Sequence, residues 1–191
     1  MKTSHKIIVV GAAVLVVPAL IGAQEVLYES KYEKTPVGKI EVKVVPAMIT
    51  LQASDRGNHF KNRGRKFMKL FRYIQSNEVK MTVPVEVDVE NNSMRFVVGT
   101  ADEHKNLKAT EKVSVERQPG RLVLSIGLRG SYSEANFVDG EKKLRKWLEE
   151  TKEYRPLGKA YVVYWHGPYI PSVLKRSEVH IEITPFAANQ K

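Results

Sequence analysis

The sequence predicts an α+β domain of two similar halves, each adding one long helix to the outside of a shared sheet. Three observations carry that prediction. Two segments, 59–75 and about 133–150, place apolar residues at helical spacing. Around them, β-branched residues alternate with polar ones at the two-residue period of half-buried strands. The same order of elements then occurs twice, the second opening in register with the first.

At the N-terminus, Lys2, His5 and Lys6 precede Ile7–Ala23, seventeen residues without a charge that end on the small Gly22 and Ala23. This is the layout of a secretory signal cut after Ala23. An uncleaved anchor is the alternative, since seventeen residues lie at the lower edge of a bilayer span. Residues 1–23 are thus expected to be a signal peptide or N-terminal anchor, and 24–191 a single domain of two repeats, about 38–100 and 111–185. The domain is expected to be periplasmic or secreted, or else anchored and facing outward.

In the first repeat, Ile40–Leu51 reads as one strand carrying Pro46-Ala47, and Asp55–Asn58 offers turn and N-cap chemistry. The helix His59–Gln75 carries Phe60, Phe67, Leu70, Phe71 and Ile74 and closes at Ser76-Asn77. Val79, Met81, Val83, Val85, Val87 and Val89 alternate with polar residues and Pro84, which predicts one long half-buried strand. Asn91-Asn92 turns into Met94–Val98. After the polar loop Ala101–Thr110, Val113, Val115, Pro119 and Gly120 stand seventy-three residues after Ile40, Val42, Pro46 and Ala47. Leu122, Leu124, Ile126 and Leu128 share one strand face. Ser133 caps a helix reaching Glu150 with a buried stripe of Phe137, Leu144, Trp147 and Leu148. Ala160–Trp165 and Val179–Ile183 are closing strands. Two units are too few for a solenoid, which leaves a pseudo-twofold domain.

Composition narrows function. The charge of +10, from 31 Lys and Arg against 21 Asp and Glu, is spread along the chain and favours anionic partners. Nucleic acid is not expected: zinc-finger spacing, a basic run interleaved with aromatics and a recognition helix are all missing from the sequence. Without cysteine there can be no disulfide, thiolate nucleophile, iron–sulfur cluster or covalent haem attachment. The sequence holds no G-x-S-x-G elbow, phosphate-binding loop, H-E-x-x-H or dinucleotide fingerprint, so no enzyme is expected. The acidic residues mostly alternate on polar strand faces and read as solvated.

Three further stretches share a pattern. Phe67–Val85 reads FMKLFRYIQSNEVKMTVPV, ending in Met81-Thr82 and Pro84-Val85. Gly130-Ser131-Tyr132-Ser133 precedes the second helix. Gly167-Pro168-Tyr169-Ile170-Pro171 leads to Leu174-Lys175-Arg176-Ser177-Glu178-Val179. In this order they resemble the SOUL haem-binding family across about 25–185. The resemblance implies a distorted antiparallel β-barrel of two pseudo-symmetric halves with two long helices packed on the outside. It also implies non-covalent haem or porphyrin binding in a shallow groove beside the first helix. Ser177 where the family usually has Asn, a short loop 77–80 and a histidine at 166 depart from the family pattern.

A tetrapyrrole needs a flat apolar surface, cations for its propionates and, optionally, an iron ligand. Arg65, Met68 and Arg72 fall at i, i+3 and i+7 on one side of the first helix, bordered by Phe67 and Phe71. Lys175 and Arg176 could close on the same groove. The plainer alternative makes the two phenylalanines core and the arginines a solvated face. His59, at the mouth of the helix, is the first candidate axial ligand, and His166 the second; His180 and His104 read as solvated. The expected function is reversible tetrapyrrole binding outside the cytoplasm, for carriage or buffering, by a monomer whose membrane association would run through its N-terminal segment. A cofactor-free interaction module, or a binder of another amphipathic anion, is the alternative.

Overall fold

A computed structural model describes residues 28–186, so the expected signal or anchor over 1–23 lies outside the described residues. Two prolines divide strands that the alternation pattern reads as continuous. Pro has no N–H to give to a ladder. Ile40–Leu51 is therefore two strands, β2 (Ile40–Val45) and β3 (Met48–Ser54), separated by Pro46-Ala47. They pair with different partners. Likewise the predicted strand 79–89 becomes β4 (Thr82–Val83) and β5 (Val85–Asp88), divided at Pro84. A short β1 (Glu29–Ser30) runs parallel to β4.

The remaining elements follow the sequence pattern. Helix α1 (His59–Ser76) starts at Asn58, whose side chain accepts from the N–H groups of Phe60 and Lys61. β6 (Ser93–Val97), β7 (Ser114–Gln118) and β8 (Arg121–Arg129) come next. Helix α2 (Glu134–Thr151) is capped by Ser133, whose hydroxyl accepts from Asn136 N–H. β9 (Tyr154–Pro156), β10 (Tyr161–Tyr164) and β11 (Arg176–Pro185) complete the chain.

All but β1 and β4 join one sheet of order β2-β8-β11-β10-β5-β6-β3-β7, with β9 added against β11. Every pair in that path is antiparallel. Exchanging β2 with β7, β3 with β8, β5 with β10 and β6 with β11 returns the same order read backwards. This is the pseudo-twofold of the fold: a curled antiparallel half-barrel with its two helices outside, α1 on β3 and β6, α2 on β8, β9 and β11.

Alternation assigns each sheet face. Leu51, Val85, Val87, Phe96, Leu124, Ile126, Val179 and Ile181 point at the helices and pack with Leu70, Tyr73, Ile74, Phe137, Leu144 and Leu148. Each such side chain contributes about 1.5–3 kcal/mol when fully buried. The inner face carries the intervening residues and is crossed by the segment 31–37. That crossing needs Gly127, where a Cβ would overlap the carbonyl oxygens of Thr35 and Pro36. Gly127→Ala is expected to cost ~1–3 kcal/mol, because the clash is with backbone. Urea unfolding checks this, and a midpoint equal to wild type would refute the close approach.

Candidate functional site

Helix α1 contains Lys61, Arg63, Arg65, Lys66, Lys69 and Arg72 and no acidic residue. Three of these cations are tied to the fold, Arg63 through the Tyr132 carbonyl oxygen, Lys66 and Lys69. Lys66 is fully buried, donates to the Asn92 side-chain carbonyl, and has its pKa lowered chiefly by that burial. Lys69 Nζ donates to Ser54 O at 2.9 Å. Facing outward, Met68 is 43% exposed between exposed Arg65 and Arg72, with Arg65 Nε 3.2 Å from Asp55. Phe67 and Phe71 lie half-buried and stacked at 5.9 Å, and the edge of Phe67 meets Phe96 at 5.2 Å. Each phenylalanine thus serves the core with one part and borders the Met68 surface with the other.

The structure sets His59 apart from that surface. Its ring is 1% exposed, Nε2 lies 3.1 Å from the Tyr164 hydroxyl, and Nδ1 has no hydrogen-bond partner. Burial first, then Lys66 and Arg63, push its pKa down to about 4, so it is neutral at pH 7. Tyr164 stacks on Tyr132 at 4.0 Å. Tyr132 in turn donates to the carbonyl oxygens of His166 or Arg176, each at 3.0 Å, and accepts from His166 N–H at 2.9 Å. Lys175 Nζ sits 5.1 Å from the Tyr132 ring, Arg63 donates to Tyr132 O at 2.6 Å, and Arg176 reaches Thr35 O at 3.2 Å. His166 is buried, and its Nδ1 accepts from Arg176 N–H. Lys175, Arg176 and His166 therefore gather around Tyr132, next to Arg63, while Phe67, Met68, Phe71 and Arg72 lie further along α1.

The inner face holds groups that the sequence reading placed in solvent. His180 is fully buried, not solvated, and so are Glu86 and Glu178. Five donors converge on Glu178: Thr35 N–H, Lys43 Nζ, Ser125 Oγ, Trp165 Nε1 and His180 Nε2, at 2.6–2.9 Å. Burial opposes its charge, but His180 and Lys43 outweigh that and hold the carboxyl at about 2. Arg121 donates to Tyr161 Oη and Glu86; Tyr161 lies 3.1 Å from His180 Nδ1. Burial keeps the His180 pKa below its ordinary value despite Glu178, so its neutral ring donates from Nε2 and accepts at Nδ1. The alternation of Glu178, His180 and Glu182 with Val179, Ile181 and Ile183 signals a second face. Nothing local signals that Tyr32 and Thr35 cover it.

Chemically, α1 offers a shallow, thioether-and-aromatic surface edged by guanidinium groups, which suits a flat amphipathic anion. Two hollows, about 490 Å³ beside Tyr32 and Trp165 and about 480 Å³ beside Leu148, Tyr154 and Phe186, lie elsewhere. Among the described residues no cluster of three metal-ligating side chains occurs, and no helix is long and apolar enough to cross a membrane. A tetrapyrrole held by its plane and its carboxylates fits Arg65, Met68, Phe71 and Arg72. His59, enclosed and facing Tyr164, is not presented to a ligand on that surface.

A pseudo-twofold antiparallel half-barrel with one helix outside each half defines a class of duplicated α+β domain. A family model described as SOUL heme-binding protein matches residues 24–182, and the chain belongs to that family. No curated protein matches the chain significantly. Among solved structures, the EcmrR C-terminal domain is similar at 13% identity and TM-score 0.62, over 78% of this chain and 98% of that one. A hydrolase from Listeria innocua is similar at 15% and 0.53, over 78% and 94%. EcmrR in a DNA complex reaches 0.63 at 12% identity, over 93% of this chain and 68% of that one. At such identities the likeness shows the fold alone.

Proposed function

We propose that this protein binds haem or a related tetrapyrrole reversibly and without covalent attachment on the outer face of α1. Its place of work is outside the cytoplasm, where it carries or buffers the pigment and catalyses no reaction. One observation supports the reading most: exposed Met68 between Arg65 and Arg72, on a helix with six cations and no acid, in a chain of this family. The macrocycle would lie against Met68 and the exposed part of Phe71, with its propionates on the two guanidinium groups. Bound haem would supply only its own plane and charges to this contact.

Hemin titration followed at the Soret band tests this, with saturation expected at one equivalent. Arg65→Ala combined with Arg72→Ala is expected to weaken binding roughly 5- to 30-fold, ~1–2 kcal/mol for two exposed charge contacts. Metal-free protoporphyrin is expected to bind as tightly as hemin, because His59 is enclosed; a large preference for hemin would instead show iron ligation. No saturation with either pigment, or unchanged affinity in the double variant, would overturn the site. Nothing on the α1 surface selects a macrocycle over another amphipathic anion, so fatty-acid competition against hemin belongs in the same titration.

A further inference from the structure

The loop between β10 and β11 carries two large apolar side chains that the fold leaves open. Tyr169 is 87% exposed and Val173 72%, while Ile170 between them is buried and anchors the loop. The loop is not a loose excursion. Tyr132 Oη lies within hydrogen-bond reach of the His166 and Arg176 carbonyls at its neck, and Trp165 N–H donates to Arg176 O. Pro168 and Pro171 flank the first apolar side chain, and Leu174 N–H and Lys175 N–H close a short turn on Pro171 and Ser172. Tyr169 and Val173 are thus presented outward on a framed support.

The neck of this loop is ringed by cations. Lys175 sits over the Tyr132 ring and Arg63 holds the Tyr132 carbonyl. Arg129 stands directly opposite Arg176 across β8 and β11, a like-charge pairing that costs stability in the isolated chain and that an anion would relieve. Neither 128–133 nor 159–177 contains an Asp or Glu. The start of α2 lies here as well, since Ser133 directly follows Tyr132, but exposed Glu134 in its first turn offsets the helix dipole, so the positive potential rests on the side chains.

We propose that this end of the molecule docks on an anionic lipid surface. Tyr169 and Val173 enter at headgroup level, and Arg63, Arg129 and Lys175 lie against lipid phosphates. Tyrosine favours that depth because its ring is apolar and its hydroxyl is not. Two apolar side chains within a basic ring suit shallow insertion and are too little surface for a stable protein interface. A second copy of the chain is disfavoured as the occupant, because each copy carries +10.

The absence of cysteine makes the test direct. A polarity-sensitive fluorophore on Tyr169→Cys in the full-length chain reports insertion of the loop, and the same label on Lys146→Cys, exposed near the other end of α2 from Ser133, reports a surface away from the helix start. With phosphatidylcholine vesicles containing phosphatidylglycerol, emission at 169 is expected to shift to the blue as the anionic fraction rises and to return with added salt. The label at 146 stays as in water. Arg129→Glu is expected to weaken this response on the order of tenfold, since it removes an attraction and adds a repulsion. A label at 169 that remains aqueous on all vesicles, shifts equally at 146, or ignores the anionic fraction would overturn the proposal.

Discussion

A Glu178→Gln variant is expected to unfold with about 3–5 kcal/mol less free energy than wild type, the usual cost of removing one partner from a buried ion pair. The cause is geometric. All five neighbours of Glu178 donate hydrogen, and a glutamine turns one acceptor oxygen into a sixth donor group among them. Lys43 would also lose the carboxylate 2.6 Å from its ammonium. Because Thr35, Lys43, Ser125, Trp165 and His180 come from the crossing segment, β2, β8, the end of β10 and β11, the loss would loosen elements far apart in sequence. Small domains hold only about 5–15 kcal/mol in total, so most of the margin is at stake. Chemical denaturation at pH 7 measures it. A loss below about 1 kcal/mol would mean that Glu178 is not the hub described, a size typical of exposed pairs.

The second large effect is on acid stability. His59 titrates near 6.5 in the unfolded chain and at about 4 when folded. Below pH 6.5 the unfolded state takes up a proton that the folded state refuses, so stability falls with pH until the folded ring titrates. A displacement of that size corresponds to on the order of 3 kcal/mol lost between about pH 6.5 and 4. His180 acts in the same direction. Glu178 contributes stability that is present above pH 4.5 and lost as pH falls towards 2, a separate and lower window. His59→Phe is expected to flatten the upper window, leaving the His180 contribution, while the lower window stays. Urea midpoints at pH 7, 5.5 and 4.5 decide it: an unchanged slope would show that His59 is protonated in place without penalty.

Much of the architecture was legible because local chemistry decides it. Asn58 and Ser133 mark helix starts through oxygens that accept orphan N–H groups, and the seventy-three-residue offset aligns β3 with β8. Pro46 and Pro84 were visible too, yet alternation across them read as continuity, since side-chain period reports a face and not an unbroken ladder. The outer surface of α1 was readable from i, i+3, i+7 spacing. The inward turn of His59 was not: a residue at a helix mouth can face either way, and the ring of Tyr164, a hundred residues on, decides it. Glu86, Glu178 and His180 were misplaced for a related reason. Their polar face is covered by residues 32–35, a contact that no local period encodes.

The strand order carries a consequence for biosynthesis. β2 is separated from the rest of its own half and lies against β8, Ile40 facing Ile126 and Val45 facing Arg121. As the ribosome extends the chain from its N-terminus, β2 emerges early and has no permanent neighbour until β8 follows. β7, its counterpart, finds β3 already waiting. The nascent protein therefore carries one orphan strand until β8 is made, and that strand, not the helices, is where a chaperone would be needed to keep chains from pairing with each other.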